Sequence, residues 1–485
     1  SVQSGSSVQS GSSVQSGSDP QSGWLGDDVV ERYGADIDAQ EREAFGVDRV
    51  RELLERHASV GRVRQPGSAV VSVEPHERGT VVFLVADDMP FIVDSVTNCV
   101  VEFSNKIGFV FHPTYMAHRS VEDGTLVGLK KVPLSDAAPA SESTAALPAL
   151  GMLAAPEGAR AVIESWTAVL VTEELDADQR VQLQQAVESV LKDVRSAVED
   201  WEPMRVQARR LADALEADIP SVPEKERREA AAFLRWMDDD SFTFLGYRYY
   251  ELEQDQGREV LRGDVDSALG LMRRTDAVSR SLSGKSAQKA REPHPLVLTT
   301  ANRRSTVHRR VYLDYVGVKE FAADGSVIGE HRFIGLYTFE ALRQPVTDVP
   351  VVRSKVRRVL SRMGFLATSH TGKSILRILE SYPREELIQS STDELTEIVA
   401  KIARLGEQRR TRAFVRGDAF GRFVTVMVYL PRDRYNTTVR LRVEEELKET
   451  FAAEAMDLDV WNSPSTVVRL TYRIKAGEGV DTVEI

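Results

Sequence analysis

Asp87, Asp88, Met89 and Pro90 interrupt an otherwise apolar stretch, FLVADDMPFIVDSV, from Phe83 to Val96. Two carboxylates beside a proline, where a strand-like run gives way to a helical one, suit two kinds of work. They can accept hydrogen bonds from the N–H groups that a helix leaves unpaired at its start, with Asp88 as the cap and Pro90 in the first turn, where its missing donor does no harm. They can also, with those same N–H groups, hold a small zwitterion, the acid side chains taking its ammonium and the helix start its carboxylate. The residue types alone leave capping and effector binding by Asp87, Asp88, Met89 and Pro90 both open.

Three other groups have residues suited to chemistry. ATSHTGKS, Ala367 to Ser374, fits a permissive phosphate-binding loop with alanine for the first glycine, in which Lys373 would reach the terminal phosphates and Ser374 would hold Mg²⁺. What precedes it reads as a basic helix ending at Gly364 rather than a buried strand, so a helix end followed by a new helix start competes with it. Asp238, Asp239 and Asp240 crowd three carboxylates where a cation could sit, yet no spaced ligands follow, and a polar helix end explains them as well. Seven basic residues lie between Arg353 and Arg377 with no Asp or Glu among them. Phe365 is their one aromatic neighbour, which suits a solvated or interdomain face better than a nucleic-acid groove. The histidines show neither HxH nor HExxH spacing, so His112 and His308 read as packed or hydrogen-bonded side chains, and no metal site is expected.

The elements that must carry these groups are mixed helix and strand. VVFLVA runs as a strand into Asp87, and Ile92, Val96, Val100 and Phe103 recur at helical spacing after it. IGFVFHPTYMAHR returns as a strand, and Asp123-Gly124 marks a hairpin. ESWTAVLVT reads as a strand, followed from Asp176 to Trp201 by a charged helix with Val181, Leu183, Val187, Val190, Leu191 and Val194 inward. The next residues are again helical, so Ala69 to Val73 is expected to fill the sheet edge that a returning strand would take. Farther on, FTFLGYRYYELE is a strand, and VYLDYVGVKEF and VIGEHRFIGLYT form a hairpin about Ala323-Asp324-Gly325. Basic helices from Pro350 to Leu405 precede two more strands, RTRAFVRG and RFVTVMVYLP. The helix after Asn436 then sets Val439, Val443, Leu447 and Phe451 on one face. The fold class is α+β.

A net charge of −12 over 485 residues argues against a surface that embraces nucleic acid or anionic lipid. At 42% hydrophobic and 28% charged residues the chain reads as folded and multidomain. No stretch reaches the about 18 consecutive apolar residues of a spanning helix. Cys99 is the only cysteine and cannot form an internal disulfide. The expected setting is cytoplasmic, with neither membrane nor nucleic acid as partner.

A strand ending in Asp, a Met-Pro at the head of an amphipathic helix and a returning strand resemble the start of an ACT domain, a small βαββαβ module that often binds amino acids beside its first strand-to-helix loop. More of the chain, from DDMPFIVDSV and ESWTAVLV through RRSTVHRRVYLDYVGVKEF and SHTGKSILRILESYPREEL to VYLPRDRYNTTVRLRVEEEL, resembles the N-terminal region of the large bacterial NAD-specific glutamate dehydrogenases. That resemblance implies several ACT-like, ferredoxin-type modules joined by helices, acting in regulation and homo-oligomer assembly. It also implies an amino-acid effector and NAD as cofactor of a catalytic domain farther along. In these residues no GxGxxG follows a strand and no Gly-Gly pair occurs, so the segment itself is expected to be non-catalytic and to hold no cofactor. The expected organisation is a tail with three SVQSGS repeats and a peripheral helix from Gly34 to His57 over residues 1–68, and a first ACT-like domain over 69–201. Connecting helices over 202–240, a second ACT-like domain over 241–345, basic helices over 346–405 and a third ACT-like domain over 406–485 follow. A free-standing amino-acid sensor of the same modules and a P-loop ATPase are the alternative functions.

Overall fold

The computed structural model describes residues 25–132, 155–275, 280–282, 285–405, 410–418, 420–462 and 467–477. The SVQSGS repeats and most of the Ala/Pro-rich insertion before Gly158 lie outside them. Contacts divide the chain between Lys192 and Asp193, and both units are built on antiparallel sheets with helices against them.

The first unit opens with three short helices, α1 (Asp27–Tyr33), α2 (Ala39–Phe45) and α3 (Val47–Val60). The single helix expected over Gly34–His57 is broken because Asp38 caps α2 by accepting the Gln40 N–H at 2.8 Å and Gly46 turns the chain at φ 93°. It is no peripheral arm either. Tyr33, Phe45, Leu53 and Leu54 form one core with Val81, Phe83, Val85, Phe111 and Trp166 of the sheet.

That sheet contains β1 (Val70–His76), β2 (Gly79–Asp87), β3 (Ile107–Phe111), β4 (Thr114–Ser120), β5 (Leu126–Lys131) and β6 (Ala159–Val171). Their order is β1-β2-β6-β4-β5, with β3 also on β6. The strand expected to run unbroken through IGFVFHPTYMAHR is split at His112-Pro113, and both halves lie along β6. The edge beside β2 is indeed filled from the N-terminal side, by β1, in register from Val70↔Val85 to His76↔Gly79. Period-two alternation leaves Val82 and Leu84 to the other face, also buried, and α4 (Ile92–Phe103) packs against β6. Helix α5 (Ala177–Glu199) follows and crosses the division between units. Leu183, Val187, Val190, Leu191 and Val194 are buried on it as expected, whereas Val181 is 55% exposed.

In the second unit α6 (Trp201–Ala214) and α7 (Glu224–Trp236) lead into a seven-stranded sheet made of β7 (Phe242–Asp255), β8 (Arg258–Gly263), β9 (Leu269–Gly270), β10 (Arg280–Ser281), β11 (Leu296–Arg304), β12 (Tyr312–Phe321) and β13 (Val327–Tyr337). Helix α8 (Lys285–Arg291) lies between β10 and β11 in the chain. The order is β10-β8-β7-β13-β12-β11, with β9 on β7. The expected hairpin is present: Gly325 has φ 83°, and Asp324 accepts the Ser326 N–H at 2.9 Å. Helices α9 (Phe339–Arg343), α10 (Val352–Arg362), α11 (His370–Ser381), α12 (Arg384–Gln389) and α13 (Thr392–Ala403) come next. The last sheet comprises β14 (Arg412–Gly417), β15 (Phe423–Pro431), β16 (Ala455–Asn462) and β17 (Val467–Lys475), with α14 (Thr437–Thr450) between β15 and β16. Its order, β14-β15-β17-β16, repeats the device of the first sheet, an N-terminal strand standing at the edge. A single apolar core joins α6, α7, α10, α11 and α13 to Val316, Val318 and Phe333 of the middle sheet and to Met427 and Tyr429 of the last.

His57 fixes α3 to the first sheet. Its Nε2 bonds the Leu84 carbonyl at 3.0 Å and its Nδ1 faces the Tyr33 hydroxyl at 2.9 Å, so the neutral imidazole donates to one and accepts from the other. Burial lowers its pKa to about 3, against which the Leu84 bond acts only weakly. Between pH 3 and 6.5 the unfolded chain therefore binds the extra proton, and stability rises with pH through that window. Acidification from pH 7 to 4 is expected to remove several kcal/mol from the first unit, on the order of 3. The slope should be much shallower in His57→Gln, with hydrogen exchange of the β2 amides as the readout.

Candidate functional site

β2 ends at Asp87, opposite Glu164 of β6, and the Asp88 N–H still bonds the Ile163 carbonyl at 3.1 Å. Met89 and Pro90 follow, and α4 begins only at Ile92. The residue at its N-cap is Phe91, in the left-handed region at φ 73°, with no side-chain cap bond. The expected cap by Asp88 is therefore not formed, nor does Pro90 lie in the first turn, because the sheet ladder holds Asp88 three residues short of the cap position. The left-handed conformation, which favours glycine, costs a residue such as Phe about 1–2 kcal/mol. The Phe91 carbonyl accepts both the Ser95 N–H at 3.0 Å and the Ser95 hydroxyl at 2.5 Å, which holds the turn.

Alternation along the strand separates the two acids. Asp87 meets Arg64 at 2.8 Å and accepts the Gly67 N–H at 2.8 Å, on the side of the α3–β1 connection. Asp88 is half-buried, and Thr114 of β4 donates to it at 3.5 Å. Burial raises the Asp88 pKa, and the Thr114 hydroxyl offsets part of that. Met89 is half-buried and Pro90 exposed. The four residues thus do not converge on one shell: Asp88 lies beside the start of α4, whose N-cap residue Phe91 makes no side-chain cap bond.

Behind the corner lies a charge cluster that the sequence reading missed. Glu164 is fully buried between two fully buried guanidinium groups, with Arg64 donating at 2.7 and 2.9 Å and Arg119 at 2.5 and 2.9 Å. The Trp166 indole donates to the same carboxylate at 3.0 Å. Arg119 also reaches the Gly124 carbonyl at 3.0 Å, and Gly124 packs so close to the Arg64 backbone that an added Cβ would lie 2.4 Å from the Arg64 oxygen. The signal was present in ARAVIESWTAVLV, where the one acid sits in the middle of a mostly apolar strand.

The other candidates take structural positions. Ala367–Ser374 joins α10 to α11, and Ser369 caps α11 by accepting the Gly372 N–H at 3.0 Å. A Cβ on Gly372 would stand 1.9 Å from the Leu366 oxygen, so its glycine serves a tight helix junction, and no strand precedes the loop. Along the basic run, Arg353 pairs with Glu229 at 3.1 Å and Arg362 with Asp393. Lys355 is half-buried and its ammonium donates to the carbonyls of Leu387, Ile388 and Ser390 at 3.1, 2.6 and 2.8 Å, and loss of water there lowers its pKa to about 7. Asp238 is held by Arg205 at 2.7 Å and Arg209 at 3.0 Å. His112 faces Asp36 at 3.8 Å.

Comparison with known proteins matches three family profiles in chain order: glutamate dehydrogenase, ACT1 domain, over residues 29–187; glutamate dehydrogenase, helical motif 1, over 349–408; and glutamate dehydrogenase, ACT2 domain, over 412–485. The seven-stranded sheet lies between these ranges. An NAD-specific glutamate dehydrogenase of Halomonas elongata is 32% identical over 402 residues, covering 82% of this chain and 24% of that protein. One from Pseudomonas aeruginosa is 37% identical over 301 residues, with 60% and 18% covered, and one from Mycobacterium tuberculosis 28% identical over 440 residues, with 88% and 25% covered. The chain spans 25% or less of the length of these relatives.

Replacing Glu164 by Gln takes the shared carboxylate from the buried Arg119 and leaves Arg64 only Asp87, and is expected to cost about 3–5 kcal/mol in urea unfolding. Asp88→Ala, with no cap to lose, should cost less than about 1 kcal/mol. A loss from Asp88→Ala as large as that from Glu164→Gln would mean that the corner, not the buried cluster, holds the module together.

Proposed function

We propose that this chain, the N-terminal ACT-bearing region of the large NAD-specific glutamate dehydrogenase family, is the regulatory and assembly part of a cytoplasmic enzyme. That enzyme converts L-glutamate, NAD and water into 2-oxoglutarate, ammonium and NADH, and its chemistry belongs to a catalytic domain outside these residues. The observation that carries the reading is the order of domains, ACT1, then helical motif 1, then ACT2, along one chain. Two features give the role physical content. β1 and β5 stand at the margins of the first sheet, and β14 and β16 at those of the last, each with one partner strand among the described residues. Such edges present unpaired N–H and C=O groups that a second copy can pair with. The corner at Asp88 sets an acid beside the N-terminal end of α4, and an acid next to the positive end of a helix dipole suits a free amino acid.

Light scattering across micromolar concentrations is expected to find a homo-oligomer, and a strict monomer throughout would remove the assembly role. Titration calorimetry with a panel of L-amino acids is expected to find one that binds, and Asp88→Asn should abolish that binding without changing thermal stability. Because protonation removes the anion at Asp88, affinity should fall as pH is lowered. Undiminished binding by the Asn variant would place the effector elsewhere.

A further inference from the structure

The seven-stranded sheet presents its two faces to different surroundings. Val316, Val318 and Phe333 belong to the helix-backed apolar core, so alternation turns Tyr315, Gly317 and Lys319 of β12, and Glu330 and Arg332 of β13, to the opposite side. There α8 and the loop between β14 and β15 enclose a cavity of about 60 Å³. At roughly 10–15 Å³ per water-sized body, that is room for about four to six of them.

Its lining is polar and apolar in separate parts. Leu261, Leu282, Ala290 and Val297 form an apolar wall. Arg332 lies 3.9 Å above the Tyr250 ring and donates to Glu330 at 2.7 Å, while the Tyr315 hydroxyl donates to the same carboxylate. Glu330 is therefore already answered within the protein. Lys319, on the same face, gives its ammonium to the carbonyls of Lys289 and Glu292. Lys289 and Arg422 stand over the Phe420 ring at 5.2 and 5.0 Å, and Arg422 is oriented by a 3.0 Å bond to the Thr300 carbonyl. Among the lining groups three cations face one carboxylate, and Arg422 also pairs with the buried Asp418 just behind the lining at 3.7 Å. Thr299 is 4% exposed, lines the cavity, and its hydroxyl has no hydrogen-bond partner in the structure. A buried hydroxyl left unmatched costs free energy, so its place on a cation-rich wall has a ready explanation if a ligand completes it.

We infer that this cavity is a binding site for a small organic acid, with its carboxylate between Lys289 and Arg422, its acceptor oxygen on the Thr299 hydroxyl, and a short aliphatic body against Leu261, Leu282 and Val297. The site is independent of the Asp88 corner. It draws on the middle sheet, α8 and the β14–β15 loop, so an occupant bridges the seven-stranded sheet and the last sheet of the same unit.

Calorimetry on the full 485-residue chain with acetate, propionate, butyrate, inorganic phosphate and n-butylamine tests it. The aliphatic acids are expected to bind, with butyrate or propionate ahead of acetate, and n-butylamine not to bind. Arg422→Gln should weaken butyrate by roughly tenfold or more, and Thr299→Val by a few-fold. Thr299→Val should also raise the melting temperature of the ligand-free protein, since it removes the unmatched hydroxyl, which keeps the test open if the Arg422 variant folds poorly. Asp88→Asn should leave butyrate binding unchanged. Failure of every acid to bind at millimolar concentration, or butyrate binding indifferent to both Arg422→Gln and Thr299→Val, would overturn the site. Phosphate binding at least as tightly as butyrate would overturn the organic-acid assignment.

Discussion

A carboxylate taken out of water must be met by cations and donors in nearly ideal places, and this requirement organises both units. In the first, Glu164 sits at the middle of the sheet, and the groups that answer it come from three separate stretches: Arg64 after α3, Arg119 on β4, and Trp166 on its own strand. Losing water costs each ion several kcal/mol, so the pairing is stable only when all of these stretches are in place together. In the second unit Glu386 of α12 has the same role. Burial alone would raise its pKa, and the guanidinium of Arg416 at 2.6 Å and the Thr425 hydroxyl at 2.8 Å outweigh that and hold it below the usual carboxylate range. Both partners lie on strands of the last sheet, so one acid fixes the helical segment onto it.

The second organising fact is topological. A βαββαβ module ordinarily spends its last strand on the edge beside its first. Here β1 and β14 occupy those edges from the N-terminal side, so the chain need not return after the second helix. In the first unit α5 ends at Glu199 and α6 starts at Trp201, and the sequence carries on into helices. This is why the stretch after Trp201 is helical where a simple reading of the module calls for a strand.

Strain is concentrated where these pieces join. Phe91 holds a left-handed conformation between β2 and α4. Val351, a β-branched residue for which such a conformation is costlier still, has φ 68° at the start of α10. The Val352 N–H closes back on the Pro350 carbonyl at 2.8 Å, a γ-turn, and Glu229 secures it by accepting the Val351 N–H at 2.9 Å and pairing with Arg353. Asp314 of β12 is a buried carboxyl of another kind: it accepts the Tyr337 N–H at 3.0 Å, and burial first and Glu385 second raise its pKa to about 8, which favours its neutral form.

By itself the sequence determined what depends on near neighbours. The strand and helix periods of β2 and α4, the Asp-Gly turn of the β12–β13 hairpin, the breadth of α5 and the edge role of β1 are all set by local pattern or by counting strands, and they were legible. Of the candidate site, its location after Asp87 was legible, but not its geometry. A cap looks plausible from spacing, yet whether Asp88 reaches the helix depends on how far the β6 ladder extends, which is a contact with residues more than seventy positions away. The same holds for Arg64 and Glu164, 100 residues apart, for the burial of α1 to α3, and for the cavity that α8 and the β14–β15 loop enclose. A sequence records which residues are charged; only the tertiary structure decides which of them lose water, and it is that loss which forces the pairings described above.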